Sequence, residues 1–411
     1  MRRVLLGVLL VLLGLPVAGG LVLRRQASAL GARLVEDAKR LDAARFTRPG
    51  RDGNELDCLA HHADVSPDVS RSVPWTHPTV LGIREGSLPL GDLPADMQGV
   101  LAREAAWLES LVDCGDFGTV APTAGLGPAA DPHHPRRQLL QRLSDAVMAL
   151  MPLHLRALAA SGRADDAAQA CTSTLQLMLD VYLLEGLEGL LGALATTRSL
   201  VPTCASAADA ASDEARARYA AALARLRDEL PPFSRVMELE RVQLSLRLFG
   251  PWLPGDLDAR LSAGARAVTA VARTSIDTRG LVPTTALRLY WRRFDAAMRR
   301  CIDVADLPEP ARTPALVAAM RGFESPTLHR FFTSEPADLR YQLYAQEADQ
   351  LRVMVELLAL AAAVDGAPDT PTPAGFVRTE HEGLVTLTPT ASELSTLHVT
   401  VRPGGVASAP R

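Results

Sequence analysis

For 20 residues, from Val4 to Leu23, the chain carries no charged side chain; Arg2 and Arg3 precede this run and Arg24 and Arg25 close it. At about 1.5 Å of rise per residue, a helix of that length spans about 30 Å, the thickness of a bilayer's hydrocarbon core. The expectation is a membrane anchor or signal sequence at residues 1–25, with everything after it tethered or exported. Val17-Ala18-Gly19 offers small residues for processing, but the apolar run resumes at Leu21-Val22-Leu23, which favours an uncleaved single-pass anchor. Orientation is contested by charge. Arg24, Arg25, Arg33, Lys39 and Arg40 follow the segment and would hold the body in the cytoplasm. The two-Arg leader ahead of an apolar core instead directs the body outward, and the reading adopted is an inner-membrane protein with its bulk in the periplasm.

With 48% hydrophobic residues, 22% charged residues and a net charge of −4, the remainder is globular, and nucleic acid is excluded as a partner. Lys39 is the one lysine among 43 basic residues. That bias fits a GC-rich bacterial source and leaves arginine to pair with any buried carboxylate. The five cysteines, Cys58, Cys114, Cys171, Cys204 and Cys301, form no CxxC, so no zinc ribbon, thioredoxin-type pair or haem attachment is indicated. Cys171 and Cys204 are nearly equidistant from Glu185-Gly186-Leu187-Glu188-Gly189. If that piece turns a helical hairpin the two thiols face each other, a disulfide that export permits. The alternative is five small buried apolar residues.

Helical spacing of Leu30, Leu34, Ala38 and Leu41 makes 26–46 a stalk that lifts the body off the membrane. Residues 47–135 read as irregular and Pro/Gly-rich, with one helix from Asp96 to about Asp113. From 136 to 365 a helical domain is expected, with helices near 136–161, 164–184, 189–201, 212–230, 233–248, 256–276, 284–303, 313–322 and 336–364. Gly162, Pro202, Pro231-Pro232, Gly250-Pro251, Gly280, Pro308 and Pro326 mark the breaks. After a linker at 366–375, residues 376–402 read as a three-strand meander whose first hairpin turns on a three-residue loop, His381-Glu382-Gly383. Residues 403–411 read as a disordered tail. The fold class is therefore mainly α: an N-terminal transmembrane helix, a multi-helix array or bundle of antiparallel helices, and a small C-terminal β meander.

The piece Leu153-His154-Leu155-Arg156-Ala157-Leu158-Ala159-Ala160-Ser161-Gly162-Arg163-Ala164-Asp165-Asp166-Ala167-Ala168 resembles one tetratricopeptide hairpin, extending over about 153–184, with Gly at the turn and Ala where paired helices touch. The resemblance implies a peptide- or protein-binding groove. It occurs once and does not recur at the period of about 34 residues, which leaves an ordinary helix pair as the alternative.

Candidate chemistry is scattered. His61, His62, His77, His133 and His134 fall in the two irregular stretches near Asp57, Asp64 and Asp131, donors suited to zinc but matching no standard spacing. Glu240 shares a helix face with Phe233, Met237, Leu244 and Leu248, and Glu347 with Leu343, Leu351, Met354 and Leu358, so both carboxylates point inward. Buried carboxylates serve general acid–base work, or each meets an Arg in the bundle. The helix 284–303 carries an apolar stripe, Leu287, Trp291, Phe294, Met298 and Ile302, opposite Arg288, Arg292, Arg293, Arg299 and Arg300. That face suits anionic lipid or an acidic partner, or is a solvated face. There is no GxSxG, Walker loop or GxGxxG followed by a helix, and no cofactor is expected. The reading is an envelope protein that binds or scaffolds another protein; its alternative is an envelope hydrolase using Glu240 and Glu347 or a histidine-bound metal.

Overall fold

The computed structural model describes residues 19–22, 24–26, 28–40, 46–47, 50–64, 76–120, 135–250, 260, 281–320, 337–391, 394 and 396–401. The protein is mainly helical, with two small sheets among the described residues, and divides into two compact units. The first comprises residues 1–45, 122–134 and 232–342, and the second 46–121, 135–231 and 343–411.

In the second unit, four long helices follow one another: α5 (Pro135–Ala160), α6 (Ala164–Glu185), α7 (Leu187–Asp209) and α8 (Asp213–Glu229). Sharp turns at Gly162 and Gly186 fold α6 back on α5 and α7 back on α6, while α5 also packs on α7 and α6 on α8. Helix α6 is the centre. Thr174 to Asp180 are all buried, and within that stretch Gln176 donates to Asp180 one turn on, at 3.1 Å. Ser212 caps α8, and Asp165 of α6 accepts from its backbone N–H and its hydroxyl, both at 2.7 Å. These bonds hold Asp165 below the usual carboxylate range.

Two of these helices pass through prolines. Pro152 lies inside α5, and Pro202, expected to end a helix, lies inside α7. A mid-helix proline forfeits one backbone bond. Here Leu200, Val201 and Cys204 are fully buried around it, so packing overrides the local break. Within α5, Leu143–Ala160 is long and apolar enough to cross a membrane by length and composition, yet 67% of it is buried inside the protein. The run 4–18 lies outside the described residues. Residues 19–22 are helical, with Leu21 and Val22 about half exposed.

The region 47–135 differs from its sequence reading. Its described residues hold α4 (Ala95–Val112), the helix expected from Asp96 to about Asp113, and in addition two helices, α2 (Glu55–Asp64) and α3 (Pro78–Glu85), and a three-stranded sheet. Central strand β3 (Phe117–Val120) pairs antiparallel with β1 (Phe46–Thr47) and parallel with β2 (Arg51–Asn54). Helices α2 and α3 and the three strands are too short for periodicity to declare them, and tertiary contacts hold them instead. Arg51 lies over the Phe117 ring at 4.9 Å and donates to the Asp113 carbonyl at 2.6 Å. Gly50 is required by close approach: a Cβ there would meet the Asp116 carbonyl oxygen at 2.5 Å.

The C-terminal strands β4 (Phe376–His381), β5 (Leu384–Pro389) and β6 (Val399–Val401) form an antiparallel meander. Val385, Leu387, Val399 and Val401 share its buried face, and β6 packs on α7. The β4–β5 loop has two residues rather than three, because His381 pairs with Leu384. Glu382 and Gly383 both take positive φ, 51° and 76°, the geometry whose twist matches a two-residue hairpin. Helix α12 (Ala337–Gly366) supplies residues 343–366 to this unit.

In the first unit, residues 19–40 are helical wherever described (α1), and the expected stalk is instead a core element: Leu34, Val35, Asp37 and Ala38 are buried. Its neighbours are α9 (Phe233–Phe249) and α10 (Leu281–Val304), and α11 (Arg312–Met320) packs on α10. Phe249 stacks on Trp291 at 5.0 Å, flanked by Tyr290 and Phe294. Arginines of α10 turn to the protein itself: Arg292 donates to Gln26, Arg299 to Asp295, and Arg300 to the Ala319 carbonyl. The helix expected at 256–276 lies outside the described residues.

Candidate functional site

Helix α2 (Glu55–Asp64) begins with Glu55 and Asp57, whose carboxylates suit the positive end of a helix, and carries His61 and His62 in its last turn. Buried Leu56 and Leu59 fix its inner face. Cys58 and His62, four residues apart, then point the same way. Opposite them, a short 3-10 helix, Asp113–Asp116, ends α4 and presents Cys114, which is fully buried. It packs closely on α6, since a Cβ at Gly115 would meet Ser173 at 3.1 Å. Cys58 and Cys114 are joined as a disulfide. The two sulfurs and an imidazole nitrogen of His62 all lie within 4.8 Å of one another.

His62 stands edge-on to Trp107 of α4, ring centres 6.5 Å apart, and its Nδ1 is buried without a hydrogen bond. Burial chiefly, with the neighbouring His61 second, lowers its pKa against the opposing pull of Asp113. The ring is therefore neutral at neutral pH, with a lone pair to offer. As a disulfide the two sulfurs suit thiol–disulfide exchange; reduced, they and the neutral imidazole are donors suited to a thiophilic cation.

Of the other histidines, His61 is exposed with its ring 5.7 Å from His62. His77 is occupied as the N-cap of α3, its Nδ1 accepting from the Thr79 N–H at 3.3 Å. His133 and His134 lie outside the described residues. Chemistry thus gathers at His62, with two cysteines as its partners. The signal in the sequence was the Cys-x-x-x-His spacing, hidden because 55–64 reads as irregular.

Cys171 of α6 and Cys204 of α7 form a second disulfide, and Cys301 of α10 is a free, buried thiol pushed up to about 12 by burial. Glu240 is buried in α9 in the first unit. Glu347 is half-buried in the second, its Oε2 without a hydrogen bond. Burial raises its pKa, and Arg198 opposes the shift.

No protein-family model, curated protein or solved structure matches the chain.

Two further polar clusters mark the two units. In the first, Arg241 of α9 is 3% exposed and is gripped by two carboxylates, Asp37 of α1 at 2.5 Å and Asp295 of α10 at 2.7 Å. Arg299 adds a second cation, 2.9 Å from Asp295 and 3.6 Å from Asp37. In the second, a cavity of about 10 Å³, room for one water, lies among α7, α8, α12 and β6. Tyr219 lines it with a buried hydroxyl that has no hydrogen bond, together with Asp209, Arg216 and Asp365. Burial first, then the Asp209 charge, raises the Tyr219 pKa. Burial also raises that of Asp365, opposed by Arg216 at 3.6 Å.

Proposed function

We propose that the chain is a single-pass, membrane-anchored protein whose helical body lies outside the cytoplasm and acts as a scaffold or docking protein. The observation that carries this reading is the pair of disulfides, Cys58–Cys114 and Cys171–Cys204. Disulfides persist in oxidising compartments and are rare in the cytosol. The uncharged run from Val4 to Leu23 supplies the tether. The docking role draws on α5 to α8, where each helix packs on the next but one, the stacking by which tetratricopeptide-like hairpins build a binding surface. The partner is a protein or peptide.

Reporter fusions active only in the periplasm or only in the cytoplasm, placed after residues 46 and 366, test the topology. Thiol alkylation of the denatured, unreduced protein from cells tests the redox state. The expected result is periplasmic activity at both junctions and one alkylated cysteine, Cys301. Cytoplasmic activity, or five alkylated cysteines, would overturn the reading.

A further inference from the structure

The geometry points to a redox-gated zinc site at Cys58, His62 and Cys114: closed by the disulfide when oxidised, and binding one zinc ion through two thiolates and an imidazole when reduced. Three observations converge on it. Cys58 and His62 occupy successive turns of one face of α2, the i, i+4 spacing by which a helix offers two ligands to one metal. Cys114 comes from a separate element, rigidly seated against α6, so the third ligand is fixed independently of the first two. The buried Nδ1 of His62 has no hydrogen-bond partner, which leaves the imidazole uncommitted within the same small volume as both sulfurs.

The distances suit the metal. Two Zn–S bonds of about 2.3 Å at a tetrahedral angle put the sulfurs about 3.8 Å apart, and a Zn–N bond of about 2.0 Å gives similar spans to the nitrogen. All three donor atoms already lie within 4.8 Å of one another, so breaking the S–S bond and rotating two side chains builds the set. Two thiolates and an imidazole select a borderline or soft cation over magnesium or calcium. Three protein ligands leave a fourth position open, the pattern of a site that exchanges metal or holds a reactive water.

The steps balance. A dithiol donor attacks the Cys58–Cys114 bond, gives up two electrons and two protons, and leaves as its own disulfide, while Cys58 and Cys114 become thiols. Zinc then displaces both thiol protons, and its two positive charges are neutralised by the two thiolates. A disulfide oxidant reverses the sequence: it takes the two electrons and, with two protons from solvent, becomes a dithiol, while the Cys58–Cys114 bond re-forms and the ion is released.

The test uses the full-length protein in detergent, oxidised or reduced with a dithiol that is then removed, and titrated with Zn²⁺ or with Co²⁺ as a spectroscopic stand-in. The reduced protein is expected to take up one equivalent and show thiolate-to-cobalt charge-transfer bands; the oxidised protein shows none. Zinc should also slow alkylation of Cys58 and Cys114 at least about tenfold while leaving Cys301 unchanged, read cysteine by cysteine by mass spectrometry. His62→Ala, which leaves both disulfides able to form, should weaken zinc binding by more than the roughly 10- to 100-fold that loss of an outer-sphere partner costs. Its circular dichroism checks that it folds. Absence of binding by the reduced protein, equal binding by His62→Ala, or protection falling on Cys171 and Cys204 instead would each overturn the proposal. None of these outcomes depends on which side of a membrane the body occupies.

Discussion

The two units solve one problem in different chemistry. Each must hold together segments far apart in the chain. The second unit ties residue 58 to 114 and 171 to 204 with sulfur–sulfur bonds. The first ties residues 37, 241 and 295 through one buried guanidinium shared by two carboxylates, and leaves its cysteine free. A covalent staple acts mainly on the unfolded chain, which it deprives of freedom. A buried ion triad acts on the folded state, where each charge is tolerable only while its partners remain. One unit therefore answers to thiol chemistry and the other to charge balance.

Reduction should break this symmetry most. Loops closed over separations of 56 and 33 residues correspond in the chain-entropy model to roughly 4 kcal/mol each. Hydrogen exchange of the dithiol-treated protein, read peptide by peptide, should show protection lost in α6 and α7 and unchanged in α9 and α10. Equal loss in both would mean that the units do not unfold independently.

The converse experiment is Arg241→Met. It leaves two buried carboxylates, Asp37 and Asp295, to share the part-exposed Arg299 alone and should cost up to about 3–5 kcal/mol. The loss of protection should then fall on α9 and α10. Adding Asp37→Asn and Asp295→Asn should recover much of it, since the penalty lies in the stranded charges rather than in the missing side chain.

A smaller effect separates the units by pH. His154 of α5 is 4% exposed with an unbonded Nε2. Burial lowers its pKa, with Glu109 opposing and Arg163 assisting. The unfolded chain then binds the proton more readily, so this contribution is complete above the ordinary histidine value of about 6.5 and is lost as pH falls toward the folded value. His62 acts in the same sense, whereas Glu347 and Asp365, raised by burial, act in the opposite sense at lower pH. The urea midpoint of the second unit should fall between pH 7.5 and 5.5, and His154→Gln should flatten that dependence. An unchanged slope would remove His154 from the account. Smallest of all, Glu382→Asn in the β4–β5 turn should stabilise the meander by about 1 kcal/mol or less, because asparagine accepts a positive φ more readily than glutamate. Thermal melting checks it.

What the sequence disclosed follows from length scale. Helices α5 to α8 each run for several turns, so their apolar periodicity and Gly breaks are visible, and the near-symmetry of Cys171 and Cys204 about residue 187 follows from the hairpin turn at Gly186. Pro202 misled because a local propensity was outweighed by the buried residues around it. Strands β1 to β3 and helices α2 and α3 span two to ten residues each. They are stabilised by contacts such as Arg51 on Phe117 that no window of sequence contains. The candidate site sat in that stretch, so its histidine was singled out, while the pairing of Cys58 with Cys114 beside it was not. The ion triad was hidden differently. Asp37 reads as one more polar residue on a solvated stalk face until Arg241, 204 positions away, is brought against it.

That burial of α1 changes what the N-terminal segment can transmit. A free stalk is a flexible leash: tension on it straightens the chain and goes no further. Helix α1 is instead set into the first unit, gripped at Asp37 by the buried Arg241. Load carried along α1 therefore bears on Asp37 and on the Arg241 guanidinium that holds it.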